Sequence, residues 1–231
     1  MKKFCSGAGV IPVIKSSDDK YYFVLFKSHI RKKYTMEEPI EDAGGKYEGN
    51  SIKMSAIREL KEESCLIFNL ENIQEKDSIS QLNKILTKFS FAYYNFHDYY
   101  VSHFIYLENK LTGYFDFESL QNDYKNNLHK FLENDFSVYT ETKDIVFIPI
   151  ESLVNINKKN KKFVYIKDYN NIEHPLYMRT YLIFKNFNKK YNLKDYVNKL
   201  IEKPIILDRV ELDNYKYSEG NITNLICYDA K

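Results

Sequence analysis

The sequence has little cysteine, and the pattern of the few cysteines argues against several kinds of site. The chain of 231 residues contains three, Cys5, Cys65 and Cys227, which are widely separated and odd in number. No Cys-x-x-Cys pair occurs, so neither a zinc ribbon nor a thiol redox motif is supported. We therefore expect free thiols in a reducing compartment.

The chain also lacks a large net charge and a long apolar run. Its formal charge is +2, which gives no reason to expect a DNA-binding surface. No segment approaches the ~20 apolar residues of a membrane span, and the short apolar stretch near the N-terminus is typical of a strand rather than a signal peptide. With 44% hydrophobic and 29% charged residues, we expect a soluble cytoplasmic protein with no membrane partner.

What is present is an irregular alternation of strand and helix patterns. Two β-rich runs at residues 9–14 and 21–27 flank the turn SSDDK and predict a hairpin. Further strands are expected at 99–107 and 144–150, and helices at 51–64, 115–134 and 176–187, whereas 83–94 leaves helix or strand open. This order favours an α+β fold, an α/β/α sandwich with a mixed β-sheet flanked by helices.

The same pattern suggests how the chain is divided. We expect residues 1–155 to form one domain, with a helical insertion at about 110–136. Residues 156–231 would then be a C-terminal extension packed on that domain.

The segment from Gly44 to Leu66, GGKYEGNSIKMSAIRELKEESCL, carries the chemistry. Ser51 is a plausible N-cap for its helix. Glu59, Glu62 and Glu63 follow an i, i+3, i+4 spacing, so their carboxylates share one face of that helix. Helical spacing also defines an apolar stripe about a quarter turn away, formed by Ala56, Ile57 and Leu60.

Three carboxylates this close repel one another unless a cation neutralises them. Carboxylate oxygens are the ligands that Mg²⁺ prefers, and the ion keeps positions for water and phosphates. Arg58 could form a bidentate pair with one carboxylate, and the Gly44–Gly45 backbone could approach the same ion. The alternative is a solvated helix face supported by charge pairs, in which these acids point into water.

The segment resembles the Nudix box, G-x5-E-x7-R-E-U-x-E-E-x-G-U, in which U is bulky and apolar. The residues at matching positions are Gly44, Arg58, Glu59, Leu60, Glu62, Glu63 and Leu66. The preceding hairpin and the later strand DIVFIPI agree with the order of elements in that family. The resemblance implies a Nudix-like fold and a hydrolase that cleaves phosphoric anhydrides.

Two positions depart from the box. Asn50 replaces the first glutamate, and Glu48 could substitute for it if the loop is one residue shorter and Gly45 takes the anchoring role. Cys65 replaces a glycine at a helix end that often requires a left-handed residue, so we expect a differently built turn there. Both departures leave open a Nudix-fold nucleotide- or RNA-binding module with weakened catalysis.

The resemblance also implies roles for individual residues. Mg²⁺ or Mn²⁺ would be held by Glu59, Glu62 and Glu63 together with a backbone carbonyl near Gly44. Arg58 and Glu62 would belong to the catalytic set, and the general base would be either a box glutamate or Glu141. Glu141 is equally explained as an exposed loop acid. We expect Glu63 to face the surface, so that its replacement by glutamine leaves the fold intact.

The substrate stays open at this point. An mRNA cap, a dinucleoside polyphosphate and a diphosphoinositol polyphosphate all fit, and no substrate-binding residue is identified. The lysine-rich residues 158–162 could attract phosphates but are more simply a solvated loop. His97, His103 and His174 match no ligand spacing and are expected to have structural roles.

Overall fold

A computed structural model describes residues 5–28, 38–47, 52–68, 85–95, 99–109, 111–154, 156, 164–190, 192–202 and 225–227. The strands are β1 Gly7–Lys15, β2 Tyr21–Ser28, β3 Ile40–Glu41, β4 Ala43–Lys46, β5 Ile85–Asn95, β6 Tyr100–Asn109, β7 Thr142–Pro149, β8 Val164–Lys167, β9 Glu173–Leu176 and β10 Leu225–Cys227. The helices are α1 Ile52–Glu63, α2 Phe117–Glu133, α3 Ile150–Val154, α4 Met178–Lys190 and α5 Leu193–Glu202, with a 3-10 helix at Ser137–Thr140.

The strands form one mixed sheet. Their order is β10-β5-β6-β1-β2-β3-β9-β8, while β4 pairs with β1 and β7 pairs with β2 outside this path. The β1–β6 and β3–β9 pairs are parallel, whereas β1–β2, β1–β4 and β5–β6 are antiparallel. The predicted mixed sheet is therefore confirmed.

Helices cover both faces of this sheet. Neighbouring residues of β1 point to opposite faces, and Val10 and Ile11 belong to separate apolar clusters. The cluster with Val10 includes Leu60 of α1 and Tyr124 of α2, whereas the cluster with Ile11 includes Phe184 of α4. The layers are thus helix, sheet and helix, as the sequence predicts.

Most predicted elements lie where the patterns place them. The hairpin is confirmed by the antiparallel pairing of Lys15 with Tyr21, and DIVFIPI falls largely within the buried strand β7. The ambiguous residues 83–94 largely form a strand, β5. Leu176, expected to start a helix, instead ends β9, and α4 begins at Met178.

The two segments expected to be peripheral contribute to the core. Tyr124 of α2 is fully buried, and its hydroxyl lies 2.7 Å from Thr142 Oγ1 of β7. From the C-terminal residues, β9 joins the sheet through the pairing of Leu176 with Ile40. The domain boundaries at 155 and the insertion at 110–136 stay predictions.

Several predictions concern residues outside the described ranges. These are the N-cap Ser51, the departure Asn50 and its substitute Glu48, His97, and the lysine-rich loop at 158–162. In the ranges that are described, every helix is too short or too polar to cross a membrane.

Candidate active site

Helix α1 packs its apolar stripe into the core, which fixes the direction of its acidic face. Ala56, Ile57 and Leu60 are all buried, as the helical spacing predicts. Ala56 and Leu60 belong to the apolar cluster that also contains Val10 of β1 and Ala43 of β4. The helix therefore presents its neighbouring acidic face to the strand that carries the two glycines.

The C-terminal end of α1 is a Schellman turn. The Leu66 N–H donates to the Lys61 carbonyl at 3.0 Å, and the Cys65 N–H donates to the Glu62 carbonyl at 3.1 Å. Cys65 has a φ of 49°, the left-handed conformation that glycine usually supplies. Leu66 also has a positive φ, of 66°, so two consecutive residues of this turn are left-handed. The prediction of a differently built turn stays a prediction. The cysteine takes the glycine conformation, and its buried thiol donates to the Tyr139 carbonyl at 3.2 Å.

Glu63 turns toward the glycine strand rather than toward solvent. Its side chain accepts a hydrogen bond at Oε1 from the Gly44 N–H, at 3.1 Å. Its exposed fraction is 8%, so the expectation of a surface-facing Glu63 is wrong. The Glu63 carbonyl in turn accepts from the Thr142 hydroxyl at 2.6 Å, which ties this end of α1 to β7.

Glu59 occupies the space beside Gly45. A Cβ atom built on Gly45 would overlap the Glu59 carboxylate, so a larger residue there would displace that carboxylate from its position. Glu59 is only 7% exposed. The solvated-face alternative is therefore wrong for Glu59 and Glu63, both of which are buried against the Gly44–Gly45 backbone.

Arg58 bridges two carboxylates of the acidic face. Its Nη2 lies 2.5 Å from Glu59 Oε1, and its Nη1 lies 2.7 Å from Glu62 Oε2. The sequence predicts a bidentate grip on one carboxylate. The i,i+4 position of Glu62 explains the difference, because each branch of the guanidinium reaches a separate acid.

The surroundings of Glu59 and Glu63 disfavour the ionised forms of these two buried carboxyl groups. Burial raises the pKa of Glu63 well above its ordinary value, with contributions from Glu41, Glu59 and Asp42, while the Gly44 N–H opposes the shift. Burial also raises the pKa of Glu59, and the neighbouring Arg58 charge partly offsets that effect.

Glu141 lies in an exposed position just before β7, next to the 3-10 helix. Its charge contributes to the raised pKa of Glu59, so it is within electrostatic range of the acidic face. Its neighbour Thr142 is the residue that anchors the Glu63 carbonyl. The structure therefore brings Glu141 near the box helix, as an exposed acid.

The donors present fit a hard divalent cation. Glu63 Oε2 is buried and has no hydrogen-bond partner among the described residues. This carboxylate oxygen lies near a glycine backbone and a second buried carboxylate. Together these groups offer oxygen ligands, which Mg²⁺ and Mn²⁺ prefer. Over the described part of the chain, no group of three or more His, Cys, Asp or Glu side chains is arranged so that it could hold a metal ion.

A second buried polar group lies beside the first, and sequence patterns did not reveal it. Its members are Asp42, Tyr100, Arg179 and Thr180. Asp42 is fully buried and lies between Glu41 and Ala43, just before Gly44. No local pattern marks it, because its side-chain partners are more than fifty residues away in sequence.

Of the three histidines singled out from the sequence, His103 and His174 lie in the described residues, and both contact structural partners. His174 Nε2 lies 3.0 Å from Asp168 Oδ2, within the β8–β9 hairpin, and Asp168 also accepts backbone N–H groups of that turn. His103 Nδ1 lies 3.3 Å from the Gly9 carbonyl. These contacts agree with the expected structural roles.

No family model and no curated protein matches the chain. Several solved structures are similar to the chain at low identity. An Ap4A hydrolase from C. elegans is 10% identical, with 80% of this chain and 95% of that chain covered and a TM-score of 0.36. A Nudix hydrolase from M. smegmatis is 4% identical, with 82% and 88% covered and a TM-score of 0.38. A NUDIX hydrolase from Nitrosomonas europaea is 14% identical, with 94% and 99% covered and a TM-score of 0.37.

Proposed function

We propose that the chain is a Nudix-type hydrolase that uses Mg²⁺ or Mn²⁺ to cleave a pyrophosphate bond. The substrate class is a nucleoside-diphosphate-linked compound or a related polyphosphate, such as an mRNA cap, a dinucleoside polyphosphate or a diphosphoinositol polyphosphate. One observation carries this proposal: the box helix and the diglycine strand meet, with Gly44 N–H bonded to Glu63 and Gly45 making room for Glu59.

Under this proposal Glu59, Glu62 and Glu63 are the side-chain ligands, and the Gly44 carbonyl is the backbone ligand. The raised pKa values of Glu59 and Glu63 support this assignment, since a divalent charge is what would favour their ionised forms. When bound, the metal would polarise the phosphoanhydride and make an attacking water more acidic.

Arg58 has a separate role in the proposed site. Its guanidinium holds Glu59 and Glu62 at fixed positions and keeps their mutual repulsion low. It thereby prepares the acidic face in the absence of a cation.

Two residues compete for the role of general base. Glu62 is half-buried on the acidic face, and its Oε2 lies 2.7 Å from Arg58 Nη1. Glu141 is exposed and close enough for its charge to act on Glu59, so it can exchange protons with solvent. A pH–rate profile of Glu62→Gln and Glu141→Gln decides between them, because only loss of the base removes the acid limb.

The proposal is tested by a phosphate-release screen on dinucleoside polyphosphates, capped RNA and inositol pyrophosphates. We expect turnover of at least one substrate with Mg²⁺ or Mn²⁺ and none with EDTA. Glu63→Gln should lower turnover at least about a hundredfold, since a metal ligand contributes several kcal/mol to stabilising the transition state. Glu118→Gln is the matched control, because Glu118 is an exposed acid on another helix.

Two results would contradict this function. One is parent-level turnover by Glu63→Gln or in EDTA. The other is an absence of turnover combined with tight nucleotide binding that EDTA does not affect, which would favour the binding-module alternative.

A further inference from the structure

Asp42 is held by side chains from two distant elements. Its Oδ2 accepts from the Tyr100 hydroxyl of β6 at 2.7 Å. Its Oδ1 accepts from the Thr180 hydroxyl at 2.8 Å and from Arg179 Nη2 at 3.3 Å, both of α4. The Asp42 N–H also donates to Thr180 Oγ1 at 3.3 Å. We call these four residues the Asp42 clamp.

Burial holds the clamp residues in place in addition to their hydrogen bonds. Asp42 and Thr180 are fully buried, and Tyr100 is 3% exposed. The Arg179 guanidinium stacks over the Tyr100 ring, with its Cζ 4.4 Å from the ring centroid, and reaches Glu41 Oε2 at 3.5 Å. A buried carboxylate with several donors has no alternative low-energy position.

The clamp and the acidic face meet at Gly44. A Cβ atom on Gly44 would overlap the Tyr100 hydroxyl, so the clamp closes one side of this glycine. The Gly44 N–H donates to Glu63. Asp42 is two residues before Gly44 in the sequence, so a shift of Asp42 is carried by the backbone to both contacts.

We propose that Tyr100, Arg179 and Thr180 are positioning residues for the metal site, because they fix Asp42 and through it the strand β4. This inference rests on the proposed function. Its consequence is that helix α4 strengthens divalent-ion binding although it supplies no ligand. Groups that orient ligands from behind typically change metal affinity roughly 10–100-fold when they are removed.

The test measures Mn²⁺ alone, by electron paramagnetic resonance titration of the full chain. Thr180→Val keeps the side-chain shape and removes the hydroxyl, so we expect a Mn²⁺ dissociation constant roughly tenfold higher. Thr180→Ser keeps the hydroxyl and should restore the parent value. Circular dichroism confirms that each variant is folded at the titration temperature.

Two further variants separate positioning from general destabilisation. Ile183→Val is a matched control, because Ile183 is fully buried on the same helix and belongs to the apolar cluster rather than to the clamp. It should keep the parent affinity even if it lowers the melting temperature. Tyr100→Phe removes a clamp hydroxyl from another element and should weaken Mn²⁺ binding as Thr180→Val does; it also serves as the test if Thr180→Val does not fold.

The outcomes distinguish this inference from the proposed function. If the parent protein binds no Mn²⁺, the proposed function fails and the inference fails with it. If the parent binds Mn²⁺ and both clamp variants keep its affinity, only the inference is overturned. Equal weakening in Ile183→Val, or no rescue by Thr180→Ser, would also overturn it.

Discussion

Two buried carboxylates lie close to Gly44, and their surroundings differ. Asp42 receives hydrogen bonds from Tyr100, Thr180 and Arg179 at its two oxygens. Glu63 receives one from the Gly44 N–H, and its second oxygen has no partner among the described residues. Burial is similar, since Asp42 is 0% and Glu63 is 8% exposed.

The contrast separates an acid that holds the fold from an acid that is available for chemistry. A buried carboxylate is tolerated when its donors replace the lost water. Asp42 meets that condition inside the protein, and Glu63 does not. Glu63 therefore needs a proton or a cation, whereas Asp42 needs only its neighbours. Removing each acid should accordingly have opposite effects on stability.

The largest effect is expected for Asp42→Ala. The substitution leaves two buried hydroxyls without their acceptor and removes one of the carboxylates that pair with Arg179, and we expect the free energy of unfolding to fall by about 3–4 kcal/mol. Urea unfolding followed by circular dichroism measures this change, because the chain has no tryptophan. Asp195→Ala, at an exposed position in α5, is the control and should change stability by less than about 0.5 kcal/mol. A decrease in the free energy of unfolding below about 1 kcal/mol for Asp42→Ala would contradict the difference drawn between Asp42 and Glu63.

In EDTA, Glu63→Gln should change the free energy of unfolding in the opposite direction to Asp42→Ala. Above the pH range in which Glu63 ionises, the variant should be about 1–2 kcal/mol more stable than the parent, because a neutral amide replaces a buried charge with too few donors. The Glu63 pKa is raised above 4.5 in the folded protein, so the folded state binds more protons than the unfolded state. Parent stability therefore falls as pH rises from about 4.5 through the folded pKa.

The measurement is urea unfolding of both proteins from pH 4 to pH 8 in EDTA. The stability advantage of Glu63→Gln should shrink as pH falls through the raised pKa of Glu63, because the carboxyl of the folded parent then takes up a proton and loses its buried charge. A variant less stable than its parent at pH 8 would show that the second oxygen of Glu63 is adequately solvated.

The site around Glu59 and Glu63 could be predicted because the residues that form it are close together in the sequence. Glu59 and Glu63 are one helical turn apart, and Gly44 lies within the same continuous motif. Hairpin, box helix and β7 are likewise encoded in short windows by apolar periodicity and turn residues. The burial of Glu63 was missed, because spacing places an acid on a face but does not show what packs against that face.

The Asp42 clamp could not be predicted in the same way. Tyr100 is 58 positions and Thr180 is 138 positions from Asp42, and the sheet topology alone brings them together. Parallel pairing of β3 with β9 places the start of α4 next to Glu41 and Asp42. No local pattern encodes such a pairing, so the role of the C-terminal segment emerges only from the three-dimensional arrangement.

The smallest expected effect concerns the turn that ends the box helix. Cys65→Gly and Cys65→Ala both remove the buried thiol and its bond to the Tyr139 carbonyl, so they share that loss. They differ in the cost of a φ of 49°, which glycine adopts without strain and alanine does not. We expect Cys65→Gly to be about 1 kcal/mol more stable than Cys65→Ala in urea unfolding. If alanine equalled glycine, the left-handed conformation at residue 65 would carry no measurable strain. If glycine is favoured as expected, Cys65 carries backbone strain at the end of the helix that positions Glu63.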